Sequence, residues 1–518
     1  MDRQPIEKVK QESALDNIAG SGLAQSLLSK ALRAHEADHL EEAKNLYAQI
    51  LAIDINNSKS LHGLGLIANR YGNYEIAAKM ARRAIDVDGS DASYRFSLAT
   101  ALQGCGQYEE ALCEYYRVAI LNTEDVLCHF SAGNILQLQG KLDEAIAEYR
   151  RVLEIKPGSV DAYYNVGNVF RLQGRMREAR EYYMQALRLQ SDNSDAIWNL
   201  CLLDLLEGDY EAGWQGYEVR HHRGIHGLRE FPEPQWQGEP LTGARILLHA
   251  EQGLGDTLQF LRYVPMVQAA GGRVILDVPK TLYRLAAESN GHESIIATGE
   301  SLPSFEWHCP LMSLPLAFKT SLQSLPAQVP YLKVPEQAVE DAVNVQWTDC
   351  GLRVGLVWSG NPKYAEDRNR SIPLPSFNSL LQIEGIQFFS LQIGPAASQL
   401  AEIVAPLADL GPGIGDMADT AARIARLDLV ITVDTAVAHL AGALGVQVWV
   451  LLPLVPDWRW LMNREDSPWY PTARLFRQLR FGDWDSVMER IHKELAALAF
   501  RTRIQDSQSP SSLSGHRR

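Results

Sequence analysis

One spacing limits what this chain can fold into more than any other feature: between Gly22 and His226 the same residue types return every 34 positions. One column reads Asp38, Gly72, Gly106, Gly140, Gly174, Gly208. A second reads Ala43, Ala77, Ala111, Ala145, Ala179, Gly213, and a third Tyr47, Ala81, Tyr115, Tyr149, Tyr183, Tyr217. A unit of that length cannot bury its own apolar face, so neighbouring copies must stack into an extended array. The Gly/Asp column predicts a left-handed residue reversing the chain between two helices. The Ala/Gly column predicts a helix crossing too close for a larger side chain, and the Tyr column fills the gap beside the next repeat.

The stretches "GNILQLQGKLDEAIAEYRRVLEIKPGS", from Gly133, and "AYYNVGNVFRLQGRMREAREYYMQAL", from Ala162, resemble the tetratricopeptide repeat. Six copies over 22–226 are expected, the terminal ones weakest because each has one neighbour. Such a solenoid implies a concave groove for a peptide or protein. Asn134 and Asn168 share one repeat position, and Asn165 and Asn199 another. Amides in a row can clamp a peptide backbone, or can simply be solvated helix faces. The wording "AYYNVGN" resembles the repeats of the protein O-linked N-acetylglucosamine transferases, which implies that the asparagines hold an acceptor polypeptide.

At 518 residues the chain exceeds a single core. Beyond the Pro/Gly-rich connector "HHRGIHGLREFPEPQWQGEPLTG", apolar runs alternate with helical stretches. Strands are expected at Arg245–Leu248, Arg273–Val278, Ser294–Ala297, Leu352–Trp358, Ile386–Gln392, Leu427–Val433 and Val446–Leu452. That βαβ rhythm predicts two doubly wound parallel sheets, in lobes spanning 227–350 and 351–502, divided near Pro335 to Gly351 and followed by a disordered tail over 503–518. The cleft at the carboxyl ends of the strands is the default ligand site.

The net charge of −14, with no concentrated basic face, argues against a nucleic-acid partner. Six scattered cysteines without a C-x-x-C pair signal neither zinc nor a disulfide framework. The amino terminus lacks a signal-peptide core, which predicts a cytoplasmic protein. Ala436 to Val455 approaches the length of a membrane span, but Gly445 and "VQVWVLL" read better as a buried helix, a turn and a buried strand, so no span is expected.

Two loops carry candidate chemistry. "HAEQGLGDTLQF" places Gly253, Gly255 and Asp256 after a strand. A dinucleotide fingerprint has Gly where Leu258 stands and tolerates no Asp facing the phosphates, although Asp277 is well placed for a ribose in that reading. Asp256 facing the cleft is suited to accept a proton from an attacking hydroxyl, or to cap its helix. "LVITVDTAVAHLAGALGVQVWVLL" predicts strand, turn, helix, strand, with the free amides of Thr435 and Ala436 aimed at a diphosphate, Asp434 fixing the turn, and His439 within reach of the same ligand.

These stretches resemble the ADP-heptose:lipopolysaccharide heptosyltransferase family, over roughly Ala244 to Ala499. The resemblance implies the GT-B fold with two Rossmann-like lobes, Asp256 as the base, and Asp434, Thr435 and His439 as donor-binding residues. Ala436 stands where that family usually has Gly. It also implies a cation after the first strand of the second lobe. Arg370 and Arg368 are the candidates, with Lys363 behind them, while Ser359 and Gly360 allow close backbone approach. In "PDWRW", Trp458 and Arg459 are candidates for contact with the sugar or acceptor. No metal or cofactor is expected, since Asp86/Asp88 lie within a repeat and Asp483/Asp485 at a helix start.

The expected function is an inverting glycosyltransferase that uses a nucleotide diphosphate sugar on a protein recruited by the repeats. A non-catalytic scaffold and a lipopolysaccharide or glycolipid transferase are the alternatives.

Overall fold

The computed structural model describes residues 22–223, 229–341, 351–364 and 366–508. It divides into two compact units, one ending at Val169 and the other beginning at Phe170.

Six helix pairs follow one another among the described residues. They begin at 22–36 with Leu40–Ile53, and continue as Ser58–Arg70 with Tyr74–Val87, Ala92–Gly104 with Tyr108–Leu121, and Val126–Leu138 with Leu142–Ile155. The last two pairs are Val160–Leu172 with Met176–Leu189, and Ser194–Glu207 with Tyr210–Tyr217. Every residue of the Gly/Asp column takes positive φ, from 62° at Asp38 to 89° at Gly208. The alanine and tyrosine columns are buried throughout. Gly133 allows the Tyr149 ring to approach, because a Cβ there would lie 2.7 Å from it. A further column was not anticipated: Asn57, Asp91, Asp125 and Asn193 each cap the first helix of a repeat by accepting a backbone N–H.

In the second unit ten strands form two sheets: β1 Arg245–His249, β2 Arg273–Val278, β3 Ser294–Ala297, β4 Trp307–Pro310, β5 Leu352–Val357, β6 Ile386–Ser390, β7 Leu407–Asp409, β8 Leu429–Val433, β9 Val448–Leu452 and β10 Ala473–Arg477. The orders are β3-β2-β1-β4 and β10-β9-β8-β5-β6-β7, with every ladder parallel. All seven expected strands are present, and β4, β7 and β10 are additional. The second sheet buries Leu356, Ile431 and Leu451 with Val487 and Ile491 from the last helix. That helix, Trp484–Gln508, runs past the expected boundary at 502, so 503–508 is helical rather than disordered, and 509–518 lies outside the described residues. Gly445, at φ 75°, turns the chain between helix Ala436–Ala443 and β9 as expected.

The second compact unit, from Phe170 on, holds the last repeat together with both sheets. Trp214 donates to the Thr320 carbonyl at 2.9 Å and meets Trp458 edge-on at 5.2 Å. Arg220 is fully buried and forms a bidentate pair with Glu251 at 2.9 and 3.0 Å, completed by Ser313. No helix among the described residues is long and apolar enough to cross a membrane.

Candidate functional site

The order of the second sheet reverses at β5, which has β8 on one side and β6 on the other. Loops leaving β5 and β8 therefore diverge and open a crevice at their carboxyl ends. β8 is a fully buried run of Leu, Val, Ile and Thr. It gives way to Asp434 and then to Thr435, whose extended backbone (φ −140°, ψ 171°) starts helix Ala436–Ala443. The Thr435 hydroxyl is 3.0 Å from that of Thr432.

In the first sheet, the loop after β1 starts helix Leu254–Phe260 at Gly253. Asp256, in the first turn, accepts the Gly253 N–H at 2.8 Å, where helix geometry favours a negative charge. The two signature helices touch. A Cβ on Gly255 would lie 2.8 Å from Cδ2 of His439 and 3.5 Å from Cα of Ala436, so only glycine fits this approach.

Asp256 is nonetheless occupied. Its other oxygen accepts from Arg459, which also donates to Asp457 at 2.8 Å and lies 4.3 Å over the Trp458 ring. Burial pushes the Asp256 carboxyl up and Arg459 opposes it, with a net rise. Arg459, the candidate for sugar or acceptor contact, is 5% exposed and joins Asp256, beyond β1, to Asp457, beyond β9. Trp458, 2% exposed, borders the cavity described below but packs mainly among Trp214, Tyr217 and Trp469, because the last repeat leaves an aromatic face to cover.

His439 is also held by side chains of the protein. Its Nδ1 is 3.0 Å from the Tyr470 hydroxyl and its ring stacks on Trp460 at 5.4 Å. Burial first, then Arg459, Arg262 and Arg370, hold it far below its usual range and therefore neutral. It buttresses Gly255 and does not line the cavity.

The loop after β5 is latched by residues the motifs did not reveal. Gln392 accepts the Ser359 N–H at 3.0 Å and donates to its carbonyl at 3.1 Å, and the Ser371 hydroxyl accepts the Gly360 N–H at 3.0 Å. Arg370 crosses Gly360, donates to Asp367 at 3.0 Å, and lies 4.8 Å over the Tyr364 ring. Arg368 and Lys363 are exposed and do not line the cavity.

The cavity occupies about 130 Å³ at the ends of β5, β8 and β9. Of the expected donor residues Arg370 and Asp434 line it, whereas Ser359, Gly360, Thr435 and Ala436 do not. Burial and then Asp457 raise Asp434 to about 6 against the pull of Arg370. Ligand sites usually measure roughly 300–1,000 Å³, so this space is small for one. Asp277, the ribose candidate, is buried against Arg229 at 2.8 Å and Thr298 at 2.6 Å.

The asparagines of the proposed clamp are partly spent on the repeats themselves. Asn134 accepts the Tyr149 hydroxyl at 2.7 Å, Asn199 donates to that of Tyr183 at 3.4 Å, and Asn168 donates to Asn165 at 3.5 Å. Because Asn and Tyr columns run side by side, the pairing was there to be read in the sequence.

Comparison with known proteins matches residues 63–125 and 160–193 to the family described as "Tetratricopeptide repeat", and 133–174 to "TPR repeat". "Protein FlbA" of Caulobacter vibrioides is 28% identical over 324 residues, which cover 56% of this chain and 53% of that protein. The chain thus spans about half the length of the curated relative it matches. Among solved structures, "YrrB: a TPR protein with an unusual peptide-binding site" is 27% identical, with 33% of this chain and 88% of that one covered at a TM-score of 0.30. "MamA" is 24% identical, with 32% and 96% covered at a TM-score of 0.30. The amino-terminal helices are tetratricopeptide repeats, and they lead into a region built on parallel sheets.

Proposed function

We propose that this chain is a glycosyltransferase that moves a sugar from a nucleotide diphosphate sugar to a hydroxyl of a protein recruited by its repeats. The observation that carries this reading is the contact of the two signature helices, Gly255 against His439 and Ala436, beside a cavity lined by Arg370 and Asp434. Two parallel sheets meeting at such a crevice fit the GT-B arrangement with an inverting, metal-independent displacement.

In this reading Asp256 takes the proton of the acceptor hydroxyl while that oxygen bonds to the anomeric carbon. The bond from that carbon to the diphosphate oxygen breaks, and the electron pair leaves with the diphosphate. Arg370 neutralises the leaving group, helped by the amides at the start of helix Ala436–Ala443. Arg459 must first release Asp256, and an incoming diphosphate is the anion that can draw it away. The repeats raise the local concentration of the acceptor.

A thermal-shift panel of nucleotide sugars, followed by transfer assays, tests this reading. We expect one nucleotide diphosphate sugar to stabilise the wild type, and Arg370→Gln to weaken that effect. The Asp256–Arg459 pair also suits a non-catalytic scaffold, and stabilisation by no member of the panel would favour that reading.

A further inference from the structure

We infer, resting on the nucleotide-sugar reading above, that Arg171 of the repeat array is a phosphate-binding residue, and that the ligand cavity is completed by helices of the repeats. The cavity at the ends of β5, β8 and β9 is lined by Arg171 from helix Val160–Leu172 and by Leu202, Leu203 and Leu206 from helix Ser194–Glu207.

The repeat columns identify Arg171 as a departure. Its column reads Asn69, Gln103, Gln137, Arg171, Leu205. Gln103 and Gln137 accept the hydroxyls of Tyr115 and Tyr149, at 3.0 and 3.2 Å. A guanidinium has no lone pair to accept a hydroxyl proton as those glutamines do, so Arg171 brings a cation into this column at the repeat whose end borders the cavity. The neighbouring column reads Leu66, Thr100, Asn134, Asn168, Leu202, and returns from amide to leucine where helix Ser194–Glu207 lines the same space. One wall thus gains a cation and an apolar surface together, which suits a nucleoside diphosphate that carries charge on one part and a flat base on another.

The charges require a second cation. Nε of Arg370 is committed to Asp367 at 3.0 Å, and Arg459 is held by Asp256 and Asp457. Asp434, Glu366 and Asp457 also line the cavity, so Arg370 alone leaves a diphosphate undercompensated. Two guanidiniums supply the paired donors that phosphate oxygens take.

The test uses the full chain and calorimetric titration with ADP, GDP, UDP and inorganic pyrophosphate. Arg171→Gln restores the residue found at Gln103 and Gln137, so the fold is expected to persist with an unchanged melting temperature. The best-bound nucleotide should lose about tenfold in affinity, the worth of one charge-assisted contact, with partial recovery in Arg171→Lys. Unchanged affinity in Arg171→Gln overturns the inference and leaves the transferase reading intact. A wild type that binds none of the four overturns both. A fall in melting temperature without a change in affinity assigns Arg171 a structural role and likewise overturns the inference.

Discussion

The repeat array and the sheet-bearing unit are held together over different distances along the chain. In the repeats the pairs that matter are local: Tyr149 with Asn134, 15 residues apart, or Arg95 with Glu114, 19 apart. In the sheet-bearing unit Arg262 donates to the carbonyl of Trp469, 207 residues away, and Arg459 reaches Asp256 across 203. Stability in a stacked array adds up from each repeat and its neighbours, so damage stays near its origin. A unit tied by buried charges of distant origin has no such insulation, and losing one partner strands the others in a dry interior. The candidate site lies in the second kind of structure, where side chains are fixed more closely but fail together.

This contrast can be broken experimentally, most forcefully at Arg220. Arg220→Ala leaves Glu251 and Glu218 without their shared cation, and should cost the sheet-bearing unit about 3–5 kcal/mol in denaturant titrations followed by tryptophan fluorescence. A loss near zero would show that long-range charge does not hold this unit. Tyr149→Ala should cost about 3 kcal/mol locally. Hydrogen exchange should accelerate in helices Val126–Leu138 and Leu142–Ile155, while the fluorescence transition of the sheet-bearing unit is unmoved. Gly140→Ala forces an alanine to φ 73° and should cost about 1–2 kcal/mol. Gly72→Ala, at the same φ, should match it if the repeats are equivalent.

The smallest expected effect concerns pH. Asp434 holds its proton more tightly in the native protein than the ordinary value of 3.8 allows, up to about 6. Its contribution is therefore complete below 3.8 and is lost as pH rises through about 6. Asp434→Asn should gain in melting temperature relative to the wild type between pH 4 and pH 7, and a constant difference would remove the charge from the account.

These distances also explain what the sequence disclosed. A 34-residue period repeats one environment many times, so the left-handed column from Asp38 to Gly208 and the buried tyrosines were legible from spacing alone. Strands β1, β2 and β3 were legible because apolar β-branched runs end at turns. β4, "WHCP", was not, since it is short, has no β-branched residue and ends in proline. The pairing of Asp256 with Arg459 left no periodic trace, and neither did that of Arg220 with Glu251. Asp256, Arg370 and Asp434 could be named from motifs, while Gln392, Ser371 and Asp457 hold or border them from remote segments. The polar run 503–508 looked disordered, yet it extends a helix already nucleated on the sheet, where each added residue is inexpensive to order.

The central claim, that two distant motifs form one centre for sugar transfer, is tested most directly by single-turnover transfer with Asp256→Asn on the stabilising donor. The account predicts donor affinity close to wild type and a transfer rate lower by about 100-fold or more. Transfer at the wild-type rate would contradict it.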